Sequence, residues 1–181
     1  MIYVFLANGF EEIEALTPVD FLLRLGECVK TVGVTGKTVT GSHGIKVEAD
    51  LMLSDIALNE SLKGIVLPGG MPGAENLNNS KEVQAAIDYC AEHKKVIGAI
   101  CAAPFILGRK NLLNGKNATC FPGFENDLKG ANVTADGVAV SDNIVTAKGA
   151  GVAWEFSAAL GSLFLGEEKS QKILRGIQWK R

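Results

Sequence analysis

Several things are scarce in this 181-residue chain. It has two histidines, two tryptophans, two tyrosines and five prolines, and neither sign of charge dominates, with 18 Lys and Arg against 20 Asp and Glu. That balance argues against a surface for nucleic acid or anionic lipid. No apolar run approaches the roughly 20 residues that a membrane-spanning helix needs. Met1 leads directly into Ile2-Tyr3-Val4-Phe5-Leu6-Ala7 without a basic segment or a cleavage site, so no export signal is expected and the cytoplasm is the expected location. The four cysteines, Cys28, Cys90, Cys101 and Cys120, have no C-x-x-C spacing and form no His-Cys cluster. They read as free thiols, not as a structural zinc site. Neither a metal nor a cofactor is expected. A G-x-x-x-x-G-K-[ST] loop is missing, and Gly149-Ala150-Gly151 lacks the third glycine of a dinucleotide fingerprint, Trp154 standing in its place.

What the chain does have is a series of short apolar runs at residues 2–7, 64–67 and 96–100, with residues 29–34 reading as a second strand, separated by longer amphipathic stretches. Runs of this length without alternation are strands buried on both faces, and their alternation with helices predicts an α/β domain over residues 1–181, with a mostly parallel sheet covered on both sides. Residues 80–93 read as a helix capped by Ser80, with Val83, Ala86, Ile87 and Cys90 on one face. Residues 149–165 read as an apolar helix and 167–181 as a polar helical tail. Residues 38–47 and 138–146 carry hairpin signals. The first helix allows two starts. Thr17-Pro18 has the chemistry of an N-cap and first helical residue, or an earlier turn bearing Glu11, Glu12 and Glu14 runs into it; Gly26 stops it in either case.

Residues 96–107 organise the rest. A buried strand turns at Cys101 into a helix that starts near Ala102, with Ala99 two residues before the cysteine and Ala103 two after. A sharp strand-to-helix turn needs that small-x-nucleophile-x-small spacing, and Pro104 suits the first helical turn. A cysteine there is expected at the positive end of a helix dipole, which favours its thiolate. In parallel sheets the segments after the strands share one edge. Gly9 to Glu14, Gly69-Gly70, Cys101-Ala102 and Cys120-Phe121 are therefore expected together. At most one or two of the three glutamates can reach the sulfur, and spacing alone does not rank them. The Gly69-Gly70 backbone could supply an oxyanion hole with the Ala102 amide. His93 falls at the amino end of the central strand, more than about 15 Å from Cys101 at strand rise, and His43 reads as a solvated turn residue. A Cys-His hydrolase is therefore not expected.

Gly9-Phe10-Glu11-Glu12-Ile13-Glu14, Leu67-Pro68-Gly69-Gly70-Met71-Pro72-Gly73-Ala74 and Ala99-Ile100-Cys101-Ala102-Ala103-Pro104, in that order, closely resemble the ThiJ/PfpI superfamily. Within it the match is to the branch of the Parkinson's-disease-associated deglycase and its bacterial relatives. The resemblance implies a flavodoxin-like three-layer sandwich with a nucleophile elbow, and a homodimer. It makes Cys101 and Glu14 the catalytic pair, with Glu14 protonated and hydrogen-bonded to the cysteine, and it assigns the Gly70 and Ala102 amides to the oxyanion site. Ala102 stands where the family's intracellular proteases carry histidine, so protease activity is not expected. Cys120-Phe121 stands where the deglycase branch often places a histidine. His43 replaces one arginine that the family brings towards the pocket, while another is kept as Arg24. Gly69, Cys120, Phe121, Arg24 and His43 are accordingly the candidate pocket residues. The implied function is a cysteine-dependent glyoxalase or deglycase acting on a small carbonyl substrate such as methylglyoxal, or on early protein adducts of such carbonyls. The alternative is a redox-sensing stress-response chaperone whose cysteine is oxidised to sulfinate.

Overall fold

The computed structural model describes residues 1–180. The chain begins with β1 (Ile2–Leu6), α1 (Glu12–Arg24), β2 (Val29–Gly33), β3 (Thr38–Thr40), β4 (Lys46–Glu48) and β5 (Leu51–Met52). It continues through β6 (Gly64–Leu67), α2 (Gly73–Asn79), α3 (Lys81–Glu92), β7 (Val96–Ile100) and α4 (Pro104–Arg109). β8 (Asn117–Ala118), β9 (Asn132–Val133), β10 (Val138–Ser141), β11 (Ile144–Ala147), α5 (Ala153–Leu165) and α6 (Glu167–Gly176) complete it.

Side-chain alternation along the apolar runs builds the layers. In β1, Ile2, Val4 and Leu6 enter one core while Tyr3 and Phe5 enter the other, and all five are buried. Only a strand covered on both faces can carry such a run. α1 and α5 cover one face through Ala15, Leu22, Phe156 and Leu160. α2, α3 and α4 cover the other through Leu77, Ile87, Phe105 and their neighbours. Seven strands form the sheet in the order β10-β11-β7-β6-β1-β2-β5. Every pairing in it is parallel except β10 with β11. This is the expected flavodoxin-like α/β arrangement. Gly98 in β7 lets α5 approach closely, because a Cβ there would lie 2.9 Å from both the Phe156 ring and Leu160.

The strand order reverses direction between β1 and β6, which opens a crevice beyond their carboxyl ends. Of the two starts left open for the first helix, the structure takes the earlier one: α1 starts at Glu12, so Pro18 lies inside the helix. Pro18 has no N–H to offer the Glu14 carbonyl, yet the helix extends past it, because the buried Glu12 carboxylate ties the first turn to the β3–β4 hairpin. At the other end of the crevice, residues 101–103 form a turn, and α4 begins at Pro104, two residues later than expected.

Candidate functional site

Cys101 leaves β7 with φ 64°, a left-handed conformation that is uncommon for a residue with a side chain. Its neighbours hold it there. The Cys101 N–H donates to the Ala147 carbonyl at 2.8 Å, and the Cys101 carbonyl accepts from the Phe121 N–H at 2.8 Å. Glu14, in the first turn of α1, is 1 % exposed and lies against the sulfur. Its carboxyl accepts from the Gly69 N–H at 2.9 Å, shares a hydrogen bond with the Cys101 thiol and also faces the Ala150 amide. The Gly70 and Ala102 amides also bear on the sulfur. Space at the loop after β6 is tight. A Cβ on Gly69 would lie 2.5 Å from the Cys101 Cβ and 2.7 Å from Glu14 Oε2. Gly70 adopts φ 84°, and a Cβ there would run into the Gly9 carbonyl.

Burial, helped by the charge of Glu11, pushes the Glu14 carboxyl up to about 7. Near neutral pH it is therefore divided between its acid and its carboxylate. Burial, with the charge and hydrogen bond of Glu14, pushes the Cys101 thiol up to about 12, while the Gly70 and Ala102 amides pull it down. This corrects the expectation of a thiolate maintained by a helix dipole, since α4 begins three residues beyond the sulfur and spans only six residues. The thiol's proton is controlled by its neighbour. Glu14 as carboxylate holds a proton on the sulfur, whereas protonated Glu14 can donate to a thiolate.

The other two glutamates turn away from the sulfur. The Glu12 carboxylate accepts from the His43 N–H at 2.9 Å and from the Ile45 N–H at 3.4 Å, and it meets His43 Nδ1 at 2.8 Å. Burial opposes its charge, but these bonds prevail and hold it at about 2. The hydrogen bond to Glu12 and the charge of Glu11 raise the His43 imidazole above its usual range. Glu11, Glu12 and His43 are, among the described residues, the set spaced closely enough to share a cation, with one ligand atom from each within 4.8 Å of the others. His43 is thus engaged with α1 and is not offered to the sulfur. His93 stacks on Tyr89 at the carboxyl end of α3, away from the elbow.

Arg24 ends α1, roughly 15 Å along the helix from Glu14 of the same chain, pairs with Asp20 at 2.6 Å and lies beside α6. Cys120, directly before Phe121, is buried in the core shared with Phe105 and Leu128, and burial, with Glu125 nearby, pushes its thiol up to about 11. Phe121 does reach the site, where it lines a pocket of about 330 Å³ with Lys148, Gly149, Ala150 and Val152. Sequence reasoning missed the segment that forms the far wall of this pocket. A Cβ on Gly149 would stand 3.5 Å from the Phe121 ring, 3.6 Å from Glu14 and 4.0 Å from Cys101 Sγ. The signal was present, because β11 is an apolar run whose carboxyl end must share the edge reached by β7.

Comparison with known proteins agrees with this geometry. The DJ-1/PfpI family model matches residues 1–162. Protein DJ-1 homolog B of Arabidopsis thaliana is 38 % identical over 92 % of this chain, which spans only 39 % of that relative's length. The glutathione-independent glyoxalase DJR-1.2 of Caenorhabditis elegans is 29 % identical over 92 % of this chain and 89 % of its own. The solved structure of oxidized Toxoplasma gondii DJ-1 superposes with a TM-score of 0.94 at 34 % identity, covering 99 % of this chain and 98 % of its own. With sequence and backbone in agreement over nearly its whole length, the chain belongs to the DJ-1/PfpI family.

Proposed function

We propose that the protein is a cytoplasmic, cysteine-dependent glyoxalase or deglycase that converts small α-oxo aldehydes such as methylglyoxal, or their early adducts with proteins, to hydroxy acids. One observation carries the reading: a buried carboxyl poised at about 7 shares a hydrogen bond with the elbow thiol, which also faces two backbone amides. The Cys101 sulfur adds to the aldehyde carbon, and its proton passes to the carbonyl oxygen, giving a hemithioacetal. The Gly70 and Ala102 amides stabilise the charge that develops on that oxygen. Glu14 as carboxylate removes the proton from this carbon and returns it to the neighbouring carbonyl carbon, while the hydroxyl proton passes from the first oxygen to the second through an enediol, leaving a thioester of the 2-hydroxy acid. Water then cleaves the thioester and frees the thiol. One water is consumed and no external electron acceptor is needed. A proton shuttle works best when its pKa lies near the working pH, as here. The name of the nematode relative supports the same chemistry.

The test is lactate formation from methylglyoxal by the wild type, Cys101→Ser and Glu14→Gln. Both variants are expected to lose turnover while keeping the wild-type far-UV spectrum. Equal rates in all three proteins would end the reading.

A second reading is favoured by the amides that face the sulfur, because the same donors, with protonated Glu14, would bind the oxygens of a sulfinate. The relative solved in an oxidized form points the same way. In this case Cys101 is a redox sensor. Mild peroxide should add two oxygens at Cys101 and none at the buried Cys90 and Cys120, as read by peptide mass. Indiscriminate oxidation of the thiols would remove the sensor reading and leave the enzymatic one standing.

A further inference from the structure

The pocket beside the sulfur is larger and more apolar than methylglyoxal requires. Its volume of about 330 Å³ reaches the range of small-molecule sites, whereas a methyl group is the smallest alkyl substituent that an α-oxo aldehyde can carry. Phe121, Pro122, Ala150 and Val152 give it apolar walls. The Phe121 ring is 48 % exposed, a large apolar surface left open to solvent. Its backbone is fixed against the elbow, because the Phe121 N–H donates to the Cys101 carbonyl at 2.8 Å. Among the described residues, Lys148 is the one charged residue lining the pocket, and its ammonium donates to the Ala135 carbonyl at 2.7 Å.

Gly149 keeps this space continuous with the reacting groups. The point where its Cβ would stand is at ordinary contact distance from the Phe121 ring, Glu14 Oε1 and Cys101 Sγ, at 3.5, 3.6 and 4.0 Å. Glycine leaves that point open. In a hemithioacetal on Cys101, the substituent of the second carbonyl carbon begins three bonds from the sulfur, within reach of the ring. We propose that the pocket seats this substituent, with Phe121 as the specificity-determining residue, so that the preferred substrates carry a branched aliphatic or aromatic group in place of the methyl of methylglyoxal. The inference rests on the carbonyl chemistry proposed for Cys101 and adds the class of substrate to it. Apolar walls favour the larger apolar substituent, an aromatic one gains ring-on-ring contact with Phe121, and a hydroxylated one gives up water without finding a partner.

The test follows four substrates of the intact protein as their 2-hydroxy acids: methylglyoxal, 4-methyl-2-oxopentanal, phenylglyoxal and 3-hydroxy-2-oxopropanal. kcat/KM for 4-methyl-2-oxopentanal should exceed that for methylglyoxal about tenfold, and 3-hydroxy-2-oxopropanal should be no better than methylglyoxal. Phe121→Ala should cut the preference for both larger aldehydes about tenfold, whereas Phe121→Leu should keep the aliphatic preference and lose the aromatic one. Equal kcat/KM for methylglyoxal and the larger aldehydes would overturn the proposal and leave the reaction at Cys101 standing. A Phe121→Ala variant that slows all four substrates in the same proportion would do the same. If the wild type converts none of them, the reaction assigned to Cys101 falls, and the seat is read separately by alkylation. The sulfur displaces bromide from 2-bromoacetophenone and from bromoacetone, and peptide mass gives both rates at Cys101. A ratio of the two that falls about tenfold in Phe121→Ala would keep Phe121 as the seat of the substituent. An unchanged ratio would remove it.

Discussion

Glu14→Gln is expected to make the fold more stable at pH 8, by about 3 kcal/mol at the upper end, while removing turnover. The folded carboxyl is pushed up to about 7 from an ordinary value of 4.5 because it is buried beside Cys101 with Glu11 nearby. Each unit of such a difference corresponds to roughly 1.4 kcal/mol. The sign follows from proton counting. Between pH 4.5 and 7 the folded state holds a proton that the unfolded chain has released, so wild-type stability falls as the pH rises through that window. Glutamine has no such proton to lose. Its side-chain oxygen still accepts from the Gly69 N–H, and its volume is nearly unchanged. Urea unfolding at pH 4.5, 6 and 8 should therefore show two curves that lie closest at the acid end and separate towards the alkaline end. Parallel curves across that range would mean that Glu14 is not held in the raised state. A site residue whose removal stabilises the fold is one whose position serves chemistry at the expense of stability.

The second large effect is expected at Gly69, which approaches both members of the Cys101–Glu14 pair. A methyl group there would meet the Cys101 Cβ at 2.5 Å, Glu14 Oε2 at 2.7 Å and the Ile100 carbonyl at 2.9 Å. None of these can move without shifting the elbow, the acid or the end of β7. Overpacking of a tight site typically costs about 1–3 kcal/mol, and a displacement of about 1 Å between reacting groups costs on the order of 100-fold in rate. Gly69→Ala should therefore lower kcat by about 100-fold and lower the urea midpoint, with the larger loss in kcat. A variant within about twofold of wild-type kcat would show that the loop after β6 yields easily and does not set the distance between acid and sulfur.

Much of this arrangement was legible before any coordinates. The runs that became β1, β6 and β7 could be recognised because a strand buried on both faces carries a short run without polar side chains. The elbow at Cys101 was legible from Ala99, Ala103 and Pro104, since steric limits at a sharp turn act over a few neighbouring residues. The Ser80 cap was legible for the same reason, its hydroxyl accepting from the Val83 N–H. The start of α1 was not, because the local preference of Pro18 for a first helical turn lost to the hairpin that ties down Glu12. Nor could the pattern say which of three glutamates meets the sulfur. That depends on the phase of α1 as it packs on the sheet, which sends Glu14 to the elbow and Glu12 to the β3–β4 turn. Arg24 lies far from Glu14 within this chain because a helix carries its last residue far from its first. The wall at Gly149 went unseen because its nearness to Cys101 comes from the pairing of β11 with β7, across more than forty positions of chain.

The sequence by itself determined the α/β class, the edge where the chemistry gathers and the residue at the turn, because side-chain size and periodicity act within a few residues. The family resemblance pointed to Glu14 and to the Gly70 and Ala102 amides; only the tertiary structure decided that Glu12 is taken up by the β3–β4 hairpin and that the thiol is pushed up by its surroundings. Desolvation and charge depend on what the fold brings together from distant parts of the chain.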